Sequence, residues 1–219
     1  MDFEFIRAYT PLYAEAAGMT LRISFLGILL SAAIGLLCSL VKIFKIPVLR
    51  SIVNGYIEVS RNTPLLIQLF FLYFGLPKIG VVLSSESCAV TGLAFLGGSY
   101  MAEAFRTGIE QVPVIQSESG LSLGLTKWQV FRHIILPQAV TTSVPVFCAN
   151  IIFLIKETSV FSAVALADLM FVAKDLIGIY YKTDEALLML VAAYLIILLP
   201  ISLLCSWIER RVRYAEFGN

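Results

Sequence analysis

Five stretches of this chain are long and apolar enough to cross a bilayer, and nothing else in the sequence limits the fold as much. A helix crossing hydrocarbon needs about 20 mostly apolar residues. Residues 19–41, 52–76, 88–106, 139–156 and 186–208 qualify. The first and last are uninterrupted, whereas Glu58, Arg61 and Pro64 break the second and Glu103 lies in the third. The 219 residues are 59% hydrophobic and only 14% charged, against roughly 25% charged in an ordinary soluble domain. Lipid must therefore be the solvent for much of the surface. In hydrocarbon each backbone polar group needs an internal partner. The expectation is an all-α, polytopic membrane protein with five transmembrane helices, forming one transmembrane domain over residues 1–219.

Five spans place successive connections on alternating sides. Lys42, Lys45, Arg50, Arg61, Arg106, Lys127, Arg132, Arg210, Arg211 and Arg213 then fall on one side, which is ten of the 16 basic residues. Cytoplasmic connections carry the excess of Lys and Arg. The amino terminus is expected outside and the carboxyl terminus in the cytoplasm of a cell that keeps the chain in its inner or plasma membrane. The formal net charge of +1 gives no electrostatic reason to expect nucleic acid. Cys38, Cys88, Cys148 and Cys205 lie singly, mostly in apolar runs, and read as buried thiols rather than metal ligands or disulfides. The acidic start, with no short apolar core and cleavage site, gives no sign of a signal peptide.

Two connections are long. The external one, 157–183, contains an apolar stretch, 160–172, that is too short to span and reads as a re-entrant or interfacial segment at the outer mouth. The cytoplasmic one, 107–138, reads as two short helices. Pro113 suits a first helical position, and Gly124 suits the left-handed residue past a helix end. Val114 and Leu121 share a face. Thr126 and Gln129 fit a capping box, each satisfying an orphan backbone group of the other. Phe131, Ile134 and Ile135 continue an apolar stripe, and Leu136-Pro137 is expected to end that helix and start the fourth span.

Within this loop, Glu118-Ser119-Gly120, then Gly124, then Ile134-x-Leu136-Pro137 resembles the "EAA" loop of permease subunits of ATP-binding-cassette (ABC) importers. The two alanines of the family pattern are here Ser119 and Gly120, which are still small. Further resemblance lies in Arg61-Asn-Thr-Pro-Leu-Leu-Ile-Gln68, in the run from Tyr100 through Glu103, Arg106 and Gly108 to Pro113, and in Lys156-Glu-Thr-Ser159. These are similar to the polar amino acid permeases of the histidine/glutamine type. Asn62 stands where that family usually has Gly, and Ile115-Gln-Ser-Glu118 where it has Gly-Gln-x-Glu. The resemblance runs from about Met19 to Arg213. It implies a type I ABC importer permease fold, paired with a second permease copy or a similar permease. It also implies ABC ATPase subunits holding ATP and Mg, an extracytoplasmic solute-binding protein, and an amino acid as solute. Glu118, Ser119, Gly120, Gly124, Ile134, Leu136 and Pro137 would then couple the ATPase to the membrane helices.

Ionisable groups at membrane depth are costly and face a cavity or a partner. Ser99, Glu103 and Arg106 share one helical stripe, with Tyr100 beside them. Glu103 could accept from a solute ammonium group or pair with Arg106 one turn on. Asn150 and Glu157 share a stripe on the fourth span, although Glu157 could equally reach water at the outer end. Gln68 could bond a solute or a neighbouring helix. Thr63-Pro64 frees carbonyls, as breaks that line transport pathways do. Gln68, Ser99, Tyr100, Glu103, Asn150 and Glu157 are the candidate pathway residues. Arg22 reads as an interfacial anchor, and Phe70, Phe71, Tyr73 and Phe74 as lipid-facing aromatics. The chain has no phosphate-binding loop of the Gly-x-x-x-x-Gly-Lys type, so ATP hydrolysis would belong to a partner. His133 stands alone, with no metal-ligand or catalytic constellation around it. An ATP-independent channel or carrier, or an intramembrane enzyme built on Glu103 and Asn150, would leave the EAA-like loop unexplained.

Overall fold

The computed structural model describes residues 1–44 and 46–217, with side chains to residue 212. Lys45 lies outside the described residues, and so does the side chain of Arg213. Among the described residues there are helices and turns and no strand. Helix α1 (Phe3–Ile43) is capped by Asp2, whose carboxylate accepts from the Phe5 N–H, and it carries Lys42 in its last turn. Its 41 residues make a rod of about 60 Å, twice the hydrocarbon thickness. The span expected from Met19 is therefore only the inner part. The first four turns stand beyond it, held by Tyr13 Oη donating to the Ala186 carbonyl at 2.7 Å and by Lys182 paired with Asp2 at 3.1 Å.

The second expected span is two pieces, α2 (Pro47–Arg61) and α3 (Leu65–Phe70). Pro64, in extended geometry between them, has no N–H to continue the ladder. A widened π turn (Phe71–Gly75) and a tight turn (Leu76–Ile79) extend α3. Helix α4 (Ser85–Glu110) occupies the centre, packed by α1, α2, α3 and α7 (Leu136–Glu157). Small residues allow this crowding. A Cβ on Gly35 of α1 would lie 2.8 Å from the Ala102 backbone nitrogen, a distance that only glycine permits.

Three helices are long and apolar enough to cross a membrane: Phe3–Ile43, Lys127–Val164 and Thr183–Val212. The reading of five spans adds α4 and the broken α2–α3 pair. Their charged and polar residues, Glu58, Arg61 and Glu103 among them, lower the hydropathy of these segments. After α7 (Leu136–Glu157), a tight turn (Thr158–Val164) and α8 (Leu169–Tyr180) fold back into the bundle before α9 (Thr183–Phe217). Phe161, Val164, Leu166 and Leu169 of this segment are buried, so it forms part of the core. Cys38, Cys88, Cys148 and Cys205 are buried free thiols.

Candidate functional site: a charged node and a rigid hairpin

The node forms where the broken second span meets α4. Gln68 Nε2 donates to the Ser60 and Thr63 carbonyls at 3.1 and 3.0 Å. It thereby satisfies acceptors that the helix break would otherwise orphan. Gln68 Oε1 is buried without a partner. Gln68 also lines a groove of about 420 Å³ with Val59, Thr63, Ile67, Phe71 and Phe95.

Helix α2 presents Arg50, Asn54, Glu58 and Arg61 on one exposed face, because positions three and four apart align. The flank next to that face carries the buried Ile57 and Ser60, where α2 packs on α4. The Arg61 guanidinium sits 5.2 Å above the centre of the Tyr100 ring, a cation–π contact. Tyr100 also packs against Phe153, and its carbonyl accepts from Asn150 Nδ2 at 3.2 Å.

Glu103 gathers cations from three helices. Arg106 Nη2 lies 2.6 Å from Oε2, Lys42 Nζ 3.0 Å from Oε1, and Arg61 Nη1 3.9 Å from Oε2. Arg106 pairs in addition with Glu110. The sequence offered Glu103 one partner on its own helix. The structure adds Lys42 from α1 and Arg61 from α2, so the carboxylate is already matched with cations. Ser99 is fully buried, bonding the Leu96 carbonyl and receiving Ser60 Oγ at 3.0 Å. Its place is in the α2–α4 contact. Tyr100 and Glu103 stand together, with Asn150 joined to them through the Tyr100 backbone. Glu157, two turns beyond Asn150, is half-buried at the far end of α7 and makes no ion pair among the described residues. Arg22 pairs with Glu86 at 3.0 Å on the exposed surface.

Sequence reasoning missed Asn54, Lys42 and Arg50 as members of this region. The 3.6-residue spacing of Arg50, Asn54, Glu58 and Arg61 carried the α2 signal. It also missed Asp168, fully buried, which caps α8 by accepting from the Phe171 N–H at 2.9 Å. Its Oδ2 has no partner, and burial pushes the carboxyl up to about 6.

The candidates in the 107–138 loop form a compact hairpin. Helix α5 (Val114–Ser122) starts one residue later than expected, with Pro113 as its extended cap rather than its first helical residue. That cap supplies the carbonyl that accepts from the Gln116 N–H at 2.9 Å. Gly124 ends the segment at φ +82°, a left-handed conformation that glycine adopts without strain. Helix α6 (Lys127–Val130) opens on the full Thr126/Gln129 capping box. Gly120 is buried where α5 crosses the next helix. A Cβ there would lie 2.6 Å from Ile134 Cδ1 and 2.9 Å from Val130 Cγ2. Glu118 and Ser119 are exposed.

The expected stop at Leu136-Pro137 does not occur. Residues 127–157 run as one helical rod, with a π turn at Phe131–Ile135 immediately before Leu136. Proline lacks an N–H and crowds the carbonyl four residues back, and the widened turn makes room for it. The same pairing of a π turn with a proline two residues on recurs at Phe71–Gly75 and Pro77. Val114, Ile115, Leu123 and Trp128 are exposed on the hairpin, Leu123 at 82%. Val114 and Leu121, expected on a shared face, both point outward. An exposed apolar cluster on a polar loop marks a protein-interaction surface.

Over nearly its whole length the chain is similar to known proteins. The chain is 32% identical to a probable amino-acid ABC transporter permease protein, PatM, of Vibrio harveyi, covering 98% of this chain and 97% of that one. It is 32% identical to the glutamine transport system permease protein GlnP of Escherichia coli K12, covering 97% and 98%. A crystal structure of an amino acid ABC transporter with histidines superposes with a TM-score of 0.91 at 34% identity, covering 96% of this chain and 99% of that one. The MetNI methionine transporter, at 20% identity and a TM-score of 0.72, shares the fold. With residues 27–214 matching the family as well, the chain belongs to the binding-protein-dependent transport system inner membrane components, the permeases with the type I ABC importer fold.

Proposed function

We propose that this permease forms half of the solute pathway of an ATP-driven importer of polar amino acids. A second copy or a similar permease completes the pathway. An extracytoplasmic binding protein delivers solute, and separate ABC ATPase subunits bind ATP and Mg. The hairpin at 113–137 lies in the cytoplasm with the carboxyl terminus, and the amino terminus lies outside. The family is one of transport permeases rather than enzymes.

The observation that carries this reading is the unbroken rod from Lys127 through Glu157, tipped by an apolar hairpin. A docked ATPase that shifts the tip must move the membrane helix with it. Such a shift drives transport only if nucleotide and solute each favour one of the two states. The later part of that polar face, Asn54, Glu58 and Arg61, supplies a wall for the pathway: Arg61, spread over Tyr100, meets a solute carboxylate, and Glu58 meets an ammonium group. Gln68 lines the groove of about 420 Å³, within the usual size of a small-molecule site of about 300–1,000 Å³. The test is uptake of a labelled amino acid panel into proteoliposomes containing the permease, its ATPase and its binding protein. ATP-dependent accumulation of polar amino acids supports the reading, and equal flux without ATP sinks it.

A further inference from the structure

At the cytoplasmic end of α1, two cavities share a wall. The first is a mouth of about 250 Å³ lined by Lys42, Arg50, Arg106 and Glu110. The second is an almost wholly apolar trough lined by Leu40, Phe105, Val140 and Phe147 among others. Ser39, Ile43 and Ile109 border both, so the pair forms one groove with a cationic opening and a hydrocarbon-like floor. Around the mouth, Lys42, Arg50 and Arg106 face two carboxylates, Glu110 and Glu103. Arg50 has no acidic partner among the described residues, so the opening keeps net positive charge. Phe44 stands exposed at the end of α1, one residue past Ile43 of the lining, an apolar fringe suited to lipid.

We propose that this groove holds an anionic phospholipid, its phosphate against Lys42, Arg50 and Arg106 and one acyl chain in the trough. A free anion would satisfy the mouth but leave the trough empty. A neutral lipid would fill the trough but leave Arg50 unmatched. Basic pockets between transmembrane helices are recognised sites for acidic headgroups. The trough is also lined by Phe131 and Leu136 at the root of the hairpin, so the bound chain braces the element that carries motion into the membrane. The inference rests on the proposed orientation only for the leaflet that supplies the lipid, which cysteine labelling of the hairpin reports separately.

The test is native mass spectrometry of the purified, delipidated full chain, given equal amounts of phosphatidylglycerol and phosphatidylcholine with the same acyl chains. Each basic residue near a headgroup is worth about fivefold in affinity, so wild type should retain phosphatidylglycerol by about fivefold or more. Arg50→Glu breaks no ion pair and should abolish the preference with the helical circular dichroism unchanged. Val140→Trp fills the trough without touching charge and should lower phosphatidylglycerol retention. Equal retention of the two lipids by wild type would overturn the proposal, as would an undiminished preference in Arg50→Glu. Displacement of the lipid by millimolar inorganic phosphate would make the mouth a free-anion site and overturn it too.

Discussion

Gly120 lies against Ile134, where a Cβ would come within 2.6 Å of Ile134 Cδ1 and 2.9 Å of Val130 Cγ2, so any side chain there must push those side-chain ends aside. The two arms of the hairpin are thus locked at one crossing. Gly120→Val should force them apart at a cost of about 1–3 kcal/mol, the usual range for overpacking. The expected outcome is loss of ATP-driven uptake with normal membrane insertion. Limited proteolysis of the 107–138 loop should speed up in parallel. Normal uptake by Gly120→Val would show that this crossing carries no coupling.

Glu118 is the exposed acid on the same hairpin. Charge reversal there disturbs no packing, so Glu118→Lys should leave the melting temperature unchanged. Uptake in proteoliposomes should fall at least about tenfold, since a like-charge contact across an interface costs several kcal/mol. Retained uptake would remove Glu118 from the coupling surface.

The hairpin was readable in advance because its signals are local. The Thr126/Gln129 box and the left-handed Gly124 each depend on residues within one turn. The break at Pro64 was readable for the same reason. The partners of Glu103 were not, because Lys42 lies 61 positions away and no periodicity connects it. The continuation through Pro137 was also hidden. Proline signals a stop unless the turn before it widens, and that widening is set by packing. The true start of α1 was missed because Arg7 and Glu15 lower its hydropathy, whereas its docking on α8 and α9 depends on Asp2, Tyr13 and Lys182.

Asp168 gives a pH prediction. Its carboxyl is pushed up by burial to about 6 from an ordinary 3.8. The folded chain therefore binds more protons than the unfolded chain between about pH 4 and 6. Stability should fall as pH rises through that window and level off above it. Asp168→Asn keeps a side-chain acceptor for the Phe171 N–H, since Asn caps helices as well as Asp. Melting temperatures of the two proteins in detergent from pH 4 to 8 should show a flatter profile for the variant. Parallel profiles would assign the pH dependence to other groups.

The charged node separates two roles for Glu103, and a double-mutant cycle distinguishes them. As a structural hub, Glu103 offsets Lys42 and Arg106, which are less than half exposed and converge on it. Glu103→Gln leaves both ammonium and guanidinium groups short of a counter-charge, at a cost of about 1–3 kcal/mol for lost charged hydrogen bonds. Lys42→Gln alone should also destabilise, because Glu103 then loses a partner. In the double variant the two costs should not add: residues in one ion-pair network couple by about 0.5–3 kcal/mol. Denaturation of the four proteins measures that coupling directly, and uptake selectivity across the amino acid panel measures contact with solute. Strong coupling with unchanged selectivity assigns Glu103 to holding α1, α2 and α4 together. Altered selectivity with little coupling would instead place its carboxylate against the solute ammonium group. The structure favours the first outcome, because three cations already lie within 4 Å of that carboxylate.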